Sequence, residues 1–182
     1  MEELVVKKLE PEFKADGWAL HATNDGDLQI IDWEDECACN LAFALSRMLK
    51  RHALSSNVVQ RAGGTGLVVR RLEYFALAVV VKATQSDSAV TFLDPAGAPL
   101  DKEALEAMPG VKRRIAAMED VALHTARSLR AYLAPVGVHE LELRLHFGIA
   151  PDNAMLLQVP NPLECSFGSM DYEALCNALG DS

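Results

Sequence analysis

The chain has 182 residues, of which 50% are apolar and 24% are charged. This is the balance of an ordinary globular protein, and a chain of this length can bury a substantial core without disulfides or metal ions. Length and composition therefore exclude intrinsic disorder, collagen and a disulfide-stabilised miniprotein. They predict one domain, or at most two.

The formal net charge is −9, from 17 basic and 26 acidic residues. Nucleic acids and anionic membrane surfaces are bound by clustered lysines and arginines, so we expect neither as a partner. The apolar runs are too short to span a bilayer, and the acidic start predicts no secretory signal. Four cysteines do not form a secreted framework in a chain of this size. We therefore expect a cytoplasmic protein with reduced thiols.

The first third of the chain is predicted to be rich in strands. Trp18–Thr23 and Leu28–Trp33 flank an Asp-Gly pair, which is a typical hairpin turn. Apolar residues then recur at helical spacing, which predicts a helix over Asn40–Leu54 with Asn40 as its N-cap. Further strands are predicted at Val58–Gln60, Leu67–Leu72 and Ala76–Lys82, with the glycine-rich Gly63–Gly66 as a turn.

The second half of the chain alternates helices and strands. The segments 86–88 and 94–97 have loop composition. Helices are predicted at Asp101–Met108, Val111–Leu133 and Asp171–Leu179. Leu141–Phe147 alternates apolar and polar residues, as expected for a strand with one solvent-facing side, and Ala154–Val159 is its predicted partner.

Several segments, in order, carry a resemblance to a known family. Leu67–Lys82 resembles an LVKKL motif followed by a PVEVVVR strand, and Pro135–Gly148 resembles a GI-x-LVDFKLEFG strand. Ala22–Asp35 is similar to the family's opening hairpin, and the helix after Asn40 falls where the family has a helix beginning NN. The family is SAICAR synthetase, the purine-pathway ligase that uses ATP to join aspartate to an aminoimidazole carboxylate ribotide. The resemblance implies an α+β fold with ATP and ribotide bound between two lobes.

The chain departs from this family where the family binds ATP and magnesium. Its phosphate-binding G-K-A-K falls on Ala15–Trp18, which carries an aspartate, and its adenine-side P-V-E falls on Ala76–Ala78. Its D-E-x-S-P-D, which supplies carboxylates for magnesium and substrate, falls on Gln158–Leu163, which has none. The resemblance implies ATP and magnesium as cofactors, but their motifs are absent. We therefore assign no metal-binding and no catalytic residue.

At other positions of the family motifs, the chain keeps the type of side chain but not the residue itself. The ribotide-phosphate motif R-N-R-x-x-G-S falls on 82–88, where only Lys82 and Ser88 keep its chemistry. In the KLEFG strand the lysine is replaced by Arg144 and the glutamate by His146, and Glu142 stands for a preceding aspartate. These three side chains share one strand face, which could bind an anion or relay a proton. A solvated, self-paired strand face is the simpler explanation of the same pattern.

Two further arginines are candidates for holding a phosphate or carboxylate. Arg suits bidentate contacts with such anions. Arg70 and Arg71 are adjacent in a strand, so their side chains point to opposite faces and cannot form one site. The ligand-binding candidates are Arg70, Arg71, Lys82, Ser88, Glu142, Arg144 and His146.

Cysteines and glycines add no clear site. A Cys37-x-Cys39 pair has the wrong spacing for structural zinc, so buried or incidental thiols are expected, although a Cys–His nucleophilic pair stays open. Gly63–Gly66 leads into a strand and lacks the lysine of a phosphate loop, which favours a hairpin turn. The cations of 112–114 are typical of the wet side of a helix, with partner binding as an alternative.

We predict an α+β fold in which an antiparallel-rich sheet is packed by helices in a reduced two-lobe arrangement. Residues 1–82 would form a β-rich lobe with one helix and 83–182 an α+β lobe, unless both form one compact unit. The leading hypothesis is a catalytically degenerate family member that binds a small anionic ligand or a protein partner. The alternatives are a diverged ATP-dependent ligase and a structural subunit, such as a homo-oligomer, with a relic cleft.

Overall fold

The computed structural model describes residues 6–179. Its N-terminal part contains a five-stranded antiparallel sheet. Its strands are β1 (Lys8–Ala15), β2 (Trp18–Thr23), β3 (Leu28–Trp33), β4 (Val58–Ala62) and β5 (Gly66–Arg70), in the order β1-β2-β3-β5-β4. Both predicted hairpin turns are confirmed. The sequence analysis missed β1, because its side chains are almost all exposed and its central proline is tolerated only at a sheet edge.

Helix α1 (Glu36–Arg51) begins four residues before the predicted N-cap. Asn40 is not the cap, because the Asp35 carboxylate accepts a hydrogen bond from the Cys37 backbone N–H at 2.8 Å. The helix ends at Arg51 instead of Leu54, since Ala53 has φ +59° and the N–H groups of Ala53 and Leu54 bond back to carbonyls of the last turn. This is a Schellman end with alanine in the position that usually holds glycine.

Helix α1 lies between the two halves of the fold. Its Leu41, Leu45 and Leu49 enter the largest core cluster, which also contains residues of the long helix α3 (Ile115–Leu133). Its Ala38 and Ala42 pack with residues of β3 and β5 in a second cluster. The helix therefore fixes the N-terminal sheet against the C-terminal part of the chain.

The C-terminal half contains a second antiparallel sheet, of order β8-β7-β9. Its strands are β7 (Ala78–Ala83), β8 (Ser88–Leu93) and β9 (Leu141–Leu145). Alternate side chains such as Val79, Val81 and Leu143 are fully buried and belong to the same core as α3. The sequence analysis missed β8, because it is an edge strand whose Ala89 and Thr91 face solvent and weaken the apolar pattern.

A third, small sheet links these parts in the order β11-β10-β6, with β6 (Glu73–Tyr74), β10 (Phe147–Ile149) and β11 (Met155–Leu157). The predicted single strand over 141–147 is wrong, because the chain changes sheets at His146. A side chain on Gly148 would put its Cβ 2.8 Å from the Leu72 Cβ, so this crossing requires glycine.

The remaining helices are α2 (Lys102–Ala107), with its predicted cap at Asp101, and α4 (Tyr172–Leu179). The residues 112–114 form a 3-10 turn before α3, so the long α-helix starts later than predicted. Within residues 6–179, no helix is both long and apolar enough to cross a membrane. The antiparallel sheets packed by helices confirm the predicted α+β class.

Candidate functional site

The outward face of β9 carries three polar side chains in a row. Glu142, Arg144 and His146 are half-buried and alternate with leucines that point into the core. This confirms the period-2 pattern read from the sequence. The row forms one wall of an open cavity of about 560 Å³, and residues 163–166 form the opposite wall.

Residues 163–166 belong to a longer stretch, residues 160–166, which we call the crossing segment because it contacts both the five-stranded sheet and the β8-β7-β9 sheet. At one end, the Trp33 Nε1–H donates to the Asn161 Oδ1 at 3.0 Å. At the other end, the backbones of Ser166 and Glu142 exchange hydrogen bonds of 2.9 and 2.8 Å. Between them, the Glu164 Oε2 lies 2.7 Å from the His146 Nε2. The crossing segment therefore fixes the cavity's shape from both sheets.

Arg144 differs from its neighbours in lacking a partner. Lys82 lies opposite Glu142 on β7 and forms an ion pair with it at 3.4 Å, while His146 is hydrogen-bonded to Glu164. Within residues 6–179, the Arg144 guanidinium has neither an ion pair nor a hydrogen bond. A half-buried guanidinium without a partner is a cation that can still accept an anion, in bidentate geometry.

The other predicted arginines lie elsewhere and are engaged. Arg70 pairs with Asp152 at 2.9 Å, and its hydrogen bond lowers the pKa of that carboxyl group. The Arg71 guanidinium donates hydrogen bonds to both carboxylate oxygens of Glu12 and to the Gly26 carbonyl. The hydrogen bond from Arg71 lowers the pKa of Glu12. Neither arginine lines the cavity.

The structure thus unites only part of the predicted site. It brings together Glu142, Arg144 and His146, with Lys82 at the edge through its pair with Glu142. Ser88 starts β8, opposite Ala83, and does not line the cavity. Sequence reasoning missed Glu164, which follows His146 by 18 positions, because no motif in the intervening residues would bring the two together.

The thiol beside this cavity is held in its protonated form at neutral pH. Burial raises the pKa of Cys165 to about 12, so the reactive thiolate is scarce. All four cysteines are free, and Cys39 is buried. Within residues 6–179, no three histidine, cysteine or acidic side chains are grouped so as to hold a metal ion.

The turn between β1 and β2 touches the crossing segment. Gly17 has φ +88°, and a Cβ added to it would lie 2.9 Å from the Leu163 Cδ1. The Gly17 carbonyl also accepts a hydrogen bond from the Glu34 backbone at 2.9 Å. No space for a ligand exists between Gly17 and Leu163.

Comparison with known proteins places this geometry in context. No family model matches the chain. A phosphoribosylaminoimidazole-succinocarboxamide synthase from Pyrococcus horikoshii is 26% identical over 161 residues, which span 78% of this chain and 66% of that protein. A type-2 SAICAR synthetase solved in complex with ADP is 18% identical and superposes with a TM-score of 0.77, covering 93% of this chain and 91% of the other. The corresponding enzyme from Ehrlichia chaffeensis gives a TM-score of 0.78 at 11% identity, covering 94% and 93%.

The chain is similar to the SAICAR synthetases, closely in fold and more weakly in sequence. The expected fold is therefore confirmed, and it accounts for two sheets joined through α1. In this SAICAR-synthetase-like chain, the two segments that depart from the family's phosphate and magnesium motifs are the ones that touch at Gly17 and Leu163.

Proposed function

We propose that this SAICAR-synthetase-like chain, whose relatives belong to purine biosynthesis, has lost ligase catalysis and binds a small anionic ligand in the cytoplasm. The observation that carries the proposal is Arg144, the half-buried guanidinium without a partner in the open cavity beside β9. A bidentate contact between such a cation and a carboxylate or phosphate is worth about 1.5–3 kcal/mol.

The residues present do not fit magnesium-bound ATP. Magnesium is held by hard oxygen ligands, usually carboxylates together with substrate phosphates. Around this cavity the carboxylates are Glu142, paired with Lys82, and Glu164, paired with His146. At Gly17, in the turn where the resemblance places the family's phosphate-binding motif, Leu163 packs directly against the chain. The proposal therefore includes no step that uses ATP or a metal ion.

The charges around Arg144 favour a ligand with few negative charges. Glu142 and Glu164 line the same cavity and would repel a triphosphate, whereas a single phosphate or carboxylate can contact Arg144 alone. Solved relatives are described in complex with ADP and with SAICAR. A ribotide monophosphate is the ligand of this kind that best matches one guanidinium.

Calorimetric titration with ATP plus magnesium, then with an aminoimidazole ribotide, tests the proposal. We expect no magnesium-dependent ATP binding, and ribotide binding that weakens about tenfold or more in Arg144→Gln. Arg113→Gln removes the same charge from an exposed position outside the cavity and is the matched control. ATP binding that requires magnesium, followed by turnover, would overturn catalytic degeneracy.

A diverged ligase remains a second candidate because of the His146–Glu164 pair. A carboxylate 2.7 Å from an imidazole orients it and supports proton transfer to or from a ligand in the cavity. Under this candidate, His146→Ala abolishes amide formation measured with ATP, aspartate and the carboxylated ribotide. Wild-type protein that makes no amide in the same assay rules the ligase out.

A structural subunit with a relic cleft is the third possibility considered above. It predicts no binding of either titrant and a stable oligomer in light scattering. Ribotide binding that depends on Arg144 would exclude a relic cleft.

A further inference from the structure

Positive charge is concentrated in one stretch of this acidic chain. Residues 41–72 contain six cations and no aspartate or glutamate, whereas the rest of the chain holds 11 basic and 26 acidic residues. The cations are Arg47, Lys50, Arg51, Arg61, Arg70 and Arg71. The acidic surroundings supply ample carboxylates, so any cation of this stretch that has no partner is notable.

Half of these cations are already engaged. Arg61 donates to the Asn40 side chain at 2.7 Å and to the Gly64 carbonyl at 3.2 Å. Arg70 forms an ion pair with Asp152, and Arg71 forms one with Glu12. Arg47, Lys50 and Arg51 instead line one groove of about 660 Å³ at the end of α1. All three are exposed, and none has an ion pair within residues 6–179.

The groove also has the polar and apolar surface of a small-molecule site. Ser55 and Ser56 contribute hydroxyls that have no hydrogen-bond partner within the described part of the chain. Val59, which is 43% exposed, lines the groove together with Leu54 and Val58. A volume of this size lies within the range of about 300–1,000 Å³ that is usual for ligand pockets.

The helix end alone does not explain these cations. Basic residues in a last turn complement the helix dipole, and Lys50 and Arg51 occupy such positions. However, the N–H groups of Ala53 and Leu54 already cap the last-turn carbonyls. Arg47 lies a full turn earlier, with its guanidinium 5.8 Å from the centroid of the Phe43 ring. A role in complementing the dipole predicts effects on stability, not on binding.

We propose that this groove binds a phosphate-bearing small molecule with an apolar or ring-shaped body. The guanidinium, ammonium and hydroxyl groups would hold the phosphate, and Leu54, Val58 and Val59 would cover the body of the ligand. An extended peptide fits less well. The pairing of β4 skips Val59, and this bulge interrupts the regular row of backbone groups that an added strand would need.

Titration with phenyl phosphate tests this site separately from the cavity at Arg144. The double variant Arg47→Gln/Arg51→Gln should weaken binding about tenfold or more, since it removes two charged contacts. Lys112→Gln/Arg113→Gln removes the same net charge outside the groove and should change the dissociation constant by less than about twofold. Titration of the groove variant in an Arg144→Gln background separates the groove from the other cavity, because that background removes the anion contact proposed there.

Circular dichroism and the denaturation midpoint establish that each variant is folded. Equal weakening by the groove variant and the 112–113 variant would mean nonspecific charge attraction and would overturn the site. Phenol binding as tightly as phenyl phosphate would overturn the role of the phosphate. Tighter binding of a hexaglutamate peptide than of phenyl phosphate would overturn the small molecule in favour of an acidic partner. Loss of phenyl phosphate binding in Arg144→Gln, with binding kept in the groove variant, would mean that this ligand binds in the cavity at Arg144 and would overturn the groove site.

Discussion

The two ends of the crossing segment have opposite environments. Its first residues are enclosed: Asn161 is 3% exposed, accepts from Trp33, and is followed by Leu163 packed on Gly17. Its last residues line an open cavity, where Glu164 reaches His146 and Arg144 has no partner within residues 6–179. The first part therefore holds the two sheets together, while the second part leaves polar groups available to a ligand.

This difference separates the part of the crossing segment that serves the fold from the part that can serve a ligand. Apolar packing of Leu163 stabilises its contact with the turn at Gly17. The polar side chains that line the cavity lie beyond that packing. Substitutions at the two ends test whether they are as independent as their contacts indicate.

The largest effect is expected at Asn57, which holds the backbone that leads into the enclosed end. Its fully buried side chain donates to the Arg70 carbonyl at 3.1 Å and accepts from the Val159 N–H at 3.0 Å. Asn57→Ala removes the partner of the buried Val159 N–H and one partner of the half-buried Arg70 carbonyl, and should lower the free energy of unfolding by about 3 kcal/mol. Urea denaturation measures this. Asn177→Ala, at an exposed position on α4, is the control. An equal loss in both variants would contradict the prediction.

Gly17→Ala perturbs the enclosed end of the crossing segment directly, because Gly17 contacts Leu163. The positive φ disfavours a side chain, and the added Cβ would lie 2.9 Å from Leu163, so we expect a loss of about 1–3 kcal/mol. Gly26→Ala is the matched control, because no atom lies within 4 Å of its added Cβ. Adding Leu163→Ala should remove only the steric part of the loss. A Gly17→Ala protein as stable as Gly26→Ala would show that this contact is not tight.

The third prediction concerns Tyr172, which with Leu163 lines a groove beside the enclosed end. Its hydroxyl donates to the Asp35 Oδ2 at 2.6 Å, and this bond, with burial, raises the Tyr172 pKa to about 12. The folded state favours the protonated phenol, so the stabilisation is complete below the unfolded pKa of about 10 and is lost as pH rises through 12.

Tyr172→Phe should therefore cost about 1 kcal/mol at neutral pH, with the difference from wild type vanishing between about pH 10 and 12. Denaturant titrations across this pH range measure both. A difference that stays constant up to pH 12 would mean that the Asp35 hydrogen bond contributes nothing.

The smallest effect on stability is expected at the open end. Arg144→Gln should change the free energy of unfolding by less than about 0.5 kcal/mol, because the guanidinium has no partner to lose in the described part of the chain. Arg71→Gln breaks a two-pronged contact with Glu12 and should cost about 0.5–1 kcal/mol. Thermal unfolding of the pair compares them. A larger loss for Arg144→Gln would indicate a structural role in place of ligand binding.

Helix ends and edge strands show why part of the fold could not be predicted from the sequence. The N-cap of α1 was assigned to Asn40, although Asp35 is also a good capping residue, and composition alone does not rank two such residues. Ala53 gives no sign of a helix end, because its left-handed backbone is imposed by Leu49 and Leu54 in the core. The edge strands β1 and β8 bury too little to show a clear period.

The same distinction between local sequence patterns and contacts with distant residues applies to the candidate site. Local periodicity and turn chemistry are enough to predict the hairpins and the shared face of Glu142, Arg144 and His146, and the family resemblance adds the α+β class. The three-dimensional contacts are needed to show that Arg71 is paired with Glu12, that Glu164 meets His146, and that Leu163 packs on Gly17. These contacts join residues 18 to 146 positions apart, and no repeating pattern in the chain encodes which distant partner each side chain meets.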